Sequence, residues 1–131
     1  MIIFPKKIEA CITFEYSEED LKDILITALE GGIGYWACLC NDGDEFKDQP
    51  KDMPTSEWCW ELLKQGKPIE FIDEEEEDEN INSVVIYLDN IYDGIRGAIE
   101  NRVWDGDMDS LDALVADAII QYAHFGDIVY G

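Results

Sequence analysis

Seven consecutive acidic residues, at positions 73–79, constrain the fold of this chain more than any other feature. A block of like charges is costly to bury, so we expect this stretch to be a connection that faces solvent. The residues on either side are apolar or β-branched, and they predict short strands at residues 68–72 and 83–88. We expect these strands to pair across the acidic connection. If the connection is extended, same-face carboxylates lie about 6.6 Å apart; the alternative is a mobile, solvated loop.

The remaining periodicities predict further strands and helices. Apolar residues alternate over residues 8–16, which predicts a half-buried strand, and a second strand is expected at residues 34–40. Helical spacing begins after Ser17, a predicted N-cap, and ends at Gly31. Three more helices are predicted at residues 57–65, from 89 or 90 to 102, and 111–125. The sequence therefore predicts one α+β domain over residues 1–131, with three to five short, mostly antiparallel strands and about four helices packed on the sheet.

The charge of the chain is strongly negative and unevenly distributed. There are 31 acidic and 9 basic residues, a formal net charge of -22, yet 47% of the residues are hydrophobic, which is typical of a folded protein rather than an acidic tail. Such a surface would repel nucleic acid and anionic lipid. Residues 41–80 hold 15 of the acids and only 4 of the bases. If the acidic segments share one face, they form a continuous negative stripe.

Three acidic segments and one tryptophan are the predicted partner-binding residues. We name the segments by order: the first spans residues 42–52, the second residues 73–79 and the third residues 105–112. Trp58 and Trp60 point in different directions on a helix, so one interpretation makes one of them an exposed contact, and the alternative is that both pack at the edge of the core. The predicted contact residues are Asp42, Asp44, Glu45, Asp48, Trp58, Asp73, Glu74, Glu75, Glu76, Glu77, Asp78, Glu79, Asp105, Asp107 and Asp109.

The sequence carries no recognisable catalytic or cofactor signature. His124 is the single histidine, and we expect it to be structural. The four cysteines, Cys11, Cys38, Cys40 and Cys59, are expected to be free thiols because their spacing does not suit zinc. No catalytic residue, cofactor or metal site is therefore predicted, and the chain is expected not to be an enzyme.

Two stretches resemble segments of small acidic proteins from phages, prophages and mobile elements of Gram-positive bacteria, a group without an assigned activity. The first is Ala28-Leu29-Glu30-Gly31-Gly32-Ile33-Gly34-Tyr35-Trp36. The second is Asp117-Ala118-Ile119-Ile120-Gln121-Tyr122-Ala123-His124-Phe125-Gly126. Separately, the charge profile is similar to that of phage DNA mimics and anti-CRISPR proteins. The resemblance implies a mobile-element setting and supplies no catalytic residues.

These features favour a non-catalytic inhibitor that occupies the basic nucleic-acid-binding site of a host defence protein, such as a nuclease complex. Two alternatives remain open: a protein that sequesters a nucleotide or another small molecule, for which Arg96 and Arg102 are the only obvious phosphate ligands, and a housekeeping interaction module with general acidity. No apolar run is long enough to span a membrane, and the N-terminal residues do not suit a signal peptide, so the cytoplasm of a bacterial host is expected. The oligomeric state is left open, with a homodimer as one option.

Overall fold

A three-stranded antiparallel sheet and four α-helices make up the fold, as seen in a computed structural model that describes all 131 residues. The strands lie in the order β1 (Ala37–Leu39), β2 (Ile69–Asp73) and β3 (Ser83–Ile86). The helices are α1 (Glu18–Thr27), α2 (Thr55–Lys64), α3 (Leu88–Glu100) and α4 (Ala113–Phe125). Short helical turns occupy Ala28–Gly32, Asp44–Phe46 and Met108–Ser110. The predicted α+β class is confirmed.

The sheet has one covered face and one open face. In β2 and β3 the buried residues alternate with exposed ones: Ile69 and Phe71 are buried, whereas Glu70 and Val85 are exposed. The predicted pairing of the two strands across the second acidic segment is confirmed, with Phe71 opposite Val84. Because β1 pairs with the other edge of β2, both β1 and β3 are edge strands.

Helix α4 is the centre of the core. Its residues from Val115 to Tyr122 are all buried, and it packs against α3, the turn after α1, and β3. The α3–α4 contact is close because α3 presents glycines there. A Cβ atom at Gly94 would overlap the carbonyl oxygen of Ile119, and one at Gly97 would press on the ring of Tyr122. These two positions set how near the helices approach each other.

Side-chain hydrogen bonds cap α1, as predicted at Ser17, and α4, whereas α3 begins at Leu88, before the predicted start at residue 89 or 90. The Ser17 hydroxyl accepts from the Asp20 amide at 3.0 Å, and the Asp20 carboxylate accepts from the Ser17 amide, so α1 begins with a capping box. Asp112 caps α4 by accepting from the Val115 amide. Gly126 ends α4 with a φ of 73°, a conformation that glycine adopts without strain.

The strand predicted at residues 8–16 is not formed. Residues 1–15 are all exposed, and Tyr16 alone in residues 1–16 makes a hydrogen bond, from its hydroxyl to the Gly106 carbonyl. Alternation predicts a strand only where a second strand is available to pair with it, and here the segment lies beside α3 and the turn after it, away from both sheet edges. Residues 34–36 are likewise a turn, and the predicted second strand shortens to Ala37–Leu39.

The close α3–α4 contact predicts a specific cost for a single methyl group. Gly94→Ala should lower the free energy of unfolding by about 1–3 kcal/mol, because the backbone of α4 must shift to admit it. Gly34→Ala is the matched control, since nothing lies within 4 Å of its Cβ position. Chemical denaturation measures both, and equal stabilities for the two variants would contradict this account of the helix contact.

Candidate interaction surface

The second acidic segment forms the loop of the β2–β3 hairpin. It is folded into turns rather than extended: the Glu76 amide donates to the Asp73 carbonyl at 3.3 Å and the Ile81 amide to the Asp78 carbonyl at 3.1 Å. The expected row of carboxylates at strand spacing is therefore not formed. The Asp78 amide also donates to the Glu76 carboxylate at 3.1 Å. The segment is held at both ends by strands and fixed within by its own hydrogen bonds.

Asp73 does not contribute to the exposed acidic surface. Its side chain is buried, with 3% of its area exposed, and it accepts hydrogen bonds from the Tyr130 hydroxyl at 2.7 Å and the Glu75 amide at 3.0 Å. The side chains that reach solvent are those after it. Of these Glu76 is half-buried, and the exposed residues are Glu74, Glu75, Glu77, Asp78 and Glu79.

The first acidic segment and Trp58 meet at the opposite end of the sheet. The Trp58 indole donates to the Glu45 carbonyl at 2.9 Å, and the two residues line an open cleft of about 590 Å³ together with Asp44 and Asp48. Asp42 is exposed in the chain leading into this cleft. Trp58 is half-buried and packs against the core, while Trp60 is buried, so neither tryptophan is an exposed side chain. The role of Trp58 as a contact stays a prediction.

The third acidic segment is a compact turn before α4. The Asp105 carboxylate accepts from the Ser110 hydroxyl at 2.7 Å and the Asp107 amide at 2.9 Å, and these bonds hold the pKa of Asp105 below its usual value. The Asp107 carboxylate accepts from the Asp109 amide at 2.9 Å. All three carboxylates are exposed, so this segment is an ordered acidic patch of its own.

The second acidic segment lies apart from the other two. The first segment follows the end of β1 that lies beside Glu70, and the second begins at Asp73, so they sit at opposite ends of a sheet about 13 Å long. The third segment leads into the N-terminal end of α4, whereas Asp73 bonds Tyr130, which packs on Phe125 at the C-terminal end of that helix, about 20 Å away. The segments do not form one continuous stripe.

Few of the carboxylates are neutralised within the molecule. The ion pairs are Lys47–Asp44, Lys64–Glu18, Lys64–Glu61 and Arg96–Asp93, so 4 of the 31 acids have a basic partner and 27 have none. The stretch from residue 68 to residue 95 contains ten acids and no Lys or Arg. The hairpin loop lies inside that stretch, and none of its carboxylates forms an ion pair.

A buried carboxylate that the sequence did not reveal joins the two segments that carry the resemblance. Asp117 on α4 is 6% exposed and accepts from the Tyr35 hydroxyl, from the Trp36 indole at 2.8 Å and from the Gln121 amide at 3.0 Å. Burial and the bond to Asp117 raise the pKa of Tyr35 to about 12. Most acids of this chain lie on the surface, and the sequence signal that Asp117 is buried was its position among the apolar residues of α4.

Gln121 extends this network to the end of the chain. Its side-chain oxygen accepts from the Val129 and Tyr130 amides at 2.8 and 2.9 Å, and its amide donates to the Tyr130 carbonyl at 3.1 Å. Tyr130 in turn donates to Asp73, and burial together with this bond raises its pKa to about 12. Asp117 and Gln121 therefore fix the segment that holds the base of the acidic hairpin loop.

Comparisons of this chain with known proteins give no match: no family model, no curated protein and no solved structure is similar to it. No group of three or more His, Cys, Asp and Glu side chains is arranged to hold a metal ion. None of the helices combines the length and apolar character that crossing a membrane requires. All four cysteines are free, and His124 lies edge-on to Phe125 with 4.6 Å between ring centroids.

Removal of the Asp117 carboxylate should be far more costly than removal of a surface one. Asp117→Leu leaves the buried Trp36 indole without its acceptor and removes the bonds from Tyr35 and Gln121, and we expect the free energy of unfolding to fall by about 3 kcal/mol. Glu77→Leu is the control, because its side chain is exposed and a surface change of this kind costs within about 0.5 kcal/mol. Similar losses in the two variants, measured by urea denaturation, would be evidence against the buried network.

The raised pKa values of Tyr35 and Tyr130 predict a loss of stability in alkali. Because folding favours the neutral phenol, the stabilisation is complete below the usual pKa of 10 and is lost as the pH rises toward about 12. Tyr130→Phe should flatten the fall in the free energy of unfolding between these pH values, whereas Tyr92→Phe, at an exposed tyrosine, should leave it unchanged. Identical pH profiles for wild type and Tyr130→Phe would refute the assignment.

Proposed function

We propose that this chain is a non-catalytic acidic protein that occupies the basic, nucleic-acid-binding surface of another protein. The hairpin loop after Asp73 is the contact that best fits this role. In this proposal the chain comes from a phage or mobile element of a Gram-positive bacterium and acts in the cytoplasm of the host. Its partner is a host defence protein, such as a nuclease complex, that binds nucleic acid through Lys and Arg side chains.

The observation that carries the proposal is the ordered, uncompensated acidic loop. Five exposed carboxylates lie in the loop between two paired strands, and no base occurs in the sequence between Lys67 and Arg96. Because the loop is already folded by its own hydrogen bonds, little conformational entropy is lost when it enters a basic groove. A protruding hairpin loop also fits a channel that accepts a nucleic-acid strand.

The unpaired carboxylates give the complex a defined salt dependence. Lys and Arg side chains that normally hold phosphates would contact the loop, and both surfaces would release bound counterions, as in a protein–DNA complex. Surface charge of this density also speeds the encounter of opposite charges at low salt. The affinity should therefore fall steeply as the salt concentration rises.

The first acidic segment gives a charge-matched control for this contact. Glu74→Gln, Glu77→Gln and Glu79→Gln remove three charges from the hairpin loop, and none of these side chains accepts a hydrogen bond. Asp42→Asn, Glu45→Gln and Asp48→Asn remove the same number of charges beside Trp58. The two triple variants therefore have the same net charge and differ only in which surface has lost three negative charges.

The test starts with capture of the partner on immobilised protein from a host extract at about 50 mM salt, followed by titration with each variant. We expect a basic nucleic-acid-binding protein to be retained, and its affinity to fall roughly tenfold for the hairpin-loop variant and far less for the control. Equal losses of affinity in the two variants would mean that binding depends on the overall negative charge and not on the hairpin loop. If no basic nucleic-acid-binding protein is retained at low salt, the proposed function is wrong.

A further inference from the structure

The N-terminal arm, residues 1–16, has the pattern of a strand but no partner for it. Ile8, Ala10, Ile12, Phe14 and Tyr16 alternate with more polar residues, yet the backbone of the arm makes no hydrogen bond to the rest of the chain. Its large apolar side chains are open to solvent, with 90% of Ile8 and 74% of Ile12 exposed. Unpaired strand edges with exposed apolar side chains are the usual sites of strand addition from another chain.

The apolar side of the arm faces a groove along α3. The sidechains of Ile12 and Phe14 line two adjoining clefts of about 580 and 640 Å³, in which Ile99 of α3 lies opposite them. Tyr16 anchors the end of the arm through its bond to Gly106 and by stacking on Trp104 with 5.7 Å between ring centroids. The arm is therefore held at one end, while both of its backbone edges stay free for pairing.

The arm is also a part of this chain that a second copy can approach with little repulsion. Its two bases, Lys6 and Lys7, balance its two acids, Glu9 and Glu15, in a chain with a net charge of -22. Two copies that meet here avoid the contact between like charges that the acidic segments would impose elsewhere.

We propose that the arms of two copies pair as antiparallel strands about a twofold axis at Cys11. In this register Lys7 lies opposite Glu15 of the second copy, and the same pair recurs on the other side of the axis. Ile8 lies opposite Phe14 and Ala10 opposite Ile12, so the apolar residues share one face of the ribbon. Opposite charges and apolar pairs placed directly across a ladder each stabilise an antiparallel pair.

Neighbouring registers lack this complementarity. An axis at Ile12 brings Glu9 opposite Glu15, a pair of like charges. An axis at Ala10 leaves Glu15 opposite Pro5, which cannot donate to a ladder. A two-stranded ribbon has only marginal stability by itself. In the proposed dimer its apolar face packs on the grooves along the α3 helices of both copies, and these helices form the second packed layer.

The dimer should respond to salt in the opposite direction from the complex with a basic partner. Sedimentation of the full chain at about 50 and 500 mM salt should show a monomer–dimer equilibrium that shifts toward dimer at the higher salt, because salt screens repulsion between the acidic bodies. This inference does not rest on the proposed function, and the opposite salt dependence separates the two. A chain that stays monomeric across concentration and salt would overturn it.

A variant at Ile12 tests the apolar face without affecting the fold. Ile12→Asp changes a side chain that is 74% exposed in the single chain, so the chain should remain folded, whereas the dimer dissociation constant should rise by about tenfold or more. Leu114→Asp, at a residue 79% exposed on α4, is the matched control and should leave the dimer intact. Equal dimerisation of the two variants would contradict the arm interface.

Charge reversal tests the register. Lys7→Glu alone should weaken the dimer, because the new glutamate lies opposite Glu15 of the second copy, and adding Glu15→Lys should restore the dimer.

A disulfide between the two Cys11 residues also tests the register, since residues opposite each other in such a ladder lie within disulfide reach. Oxidation with diamide, which takes up the two electrons and two protons, should give a disulfide-linked dimer. Cys11→Ser should abolish this product and Cys38→Ser should not. Failure of the double charge variant to recover dimerisation, or an undiminished product in Cys11→Ser, would overturn the register.

Discussion

The carboxylate of Asp117 is the interaction on which the rest of this structure depends. It lies on the central helix, and two of its three hydrogen bonds, from Tyr35 and Trp36, tie the turn before β1 to α4. Gln121, one turn later, ties the end of the chain to the same helix. A buried charge is tolerated only where donors surround it, and here these donors come from segments far apart in sequence. The polar network thus selects one arrangement of segments that apolar packing alone would not fix.

This network also explains how so acidic a chain can present its charge in an ordered form. Tyr130 connects the network to Asp73, the last residue of β2 and the base of the hairpin loop. The carboxylates beyond it repel one another, and such a loop would unfold if its ends were free. Anchoring the base in the core, with further hydrogen bonds from loop amides to loop carboxylates, offsets part of that repulsion. The surface charge is therefore built on the buried polar network.

Much of the fold follows from local patterns in the sequence. The β2–β3 hairpin could be predicted because a block of acids is costly to bury, and six of the seven do lie in the connecting loop, whereas α1 could be predicted because Ser17 and Asp20 form a cap. Residues 8–16 were predicted wrongly, because alternation says which side of a strand is apolar and not whether a partner exists. The burial of Asp73 was equally hidden, since only its tertiary contacts distinguish it from the acids that follow it, whereas the place of Asp117 among the apolar residues of α4 was a signal that went unread.

The placement of the acidic segments likewise depended on topology. The sequence showed three segments, but their separation follows from the antiparallel order of β1 and β2 and from the length of α4. That separation counts against a mimic that presents one continuous acidic stripe, and it leaves the hairpin loop as the contact in our proposal. Trp58 marks a different surface, beside the first segment.

The account of this protein as a competitor of nucleic acid is tested most directly by one binding measurement on its captured partner. The affinity of the partner for a labelled oligonucleotide is measured with and without a saturating amount of the chain at constant salt. The account predicts competition: the oligonucleotide is displaced, and its apparent dissociation constant rises in proportion to the concentration of the chain. A ternary complex, in which the partner holds both molecules with unchanged affinity, would contradict it.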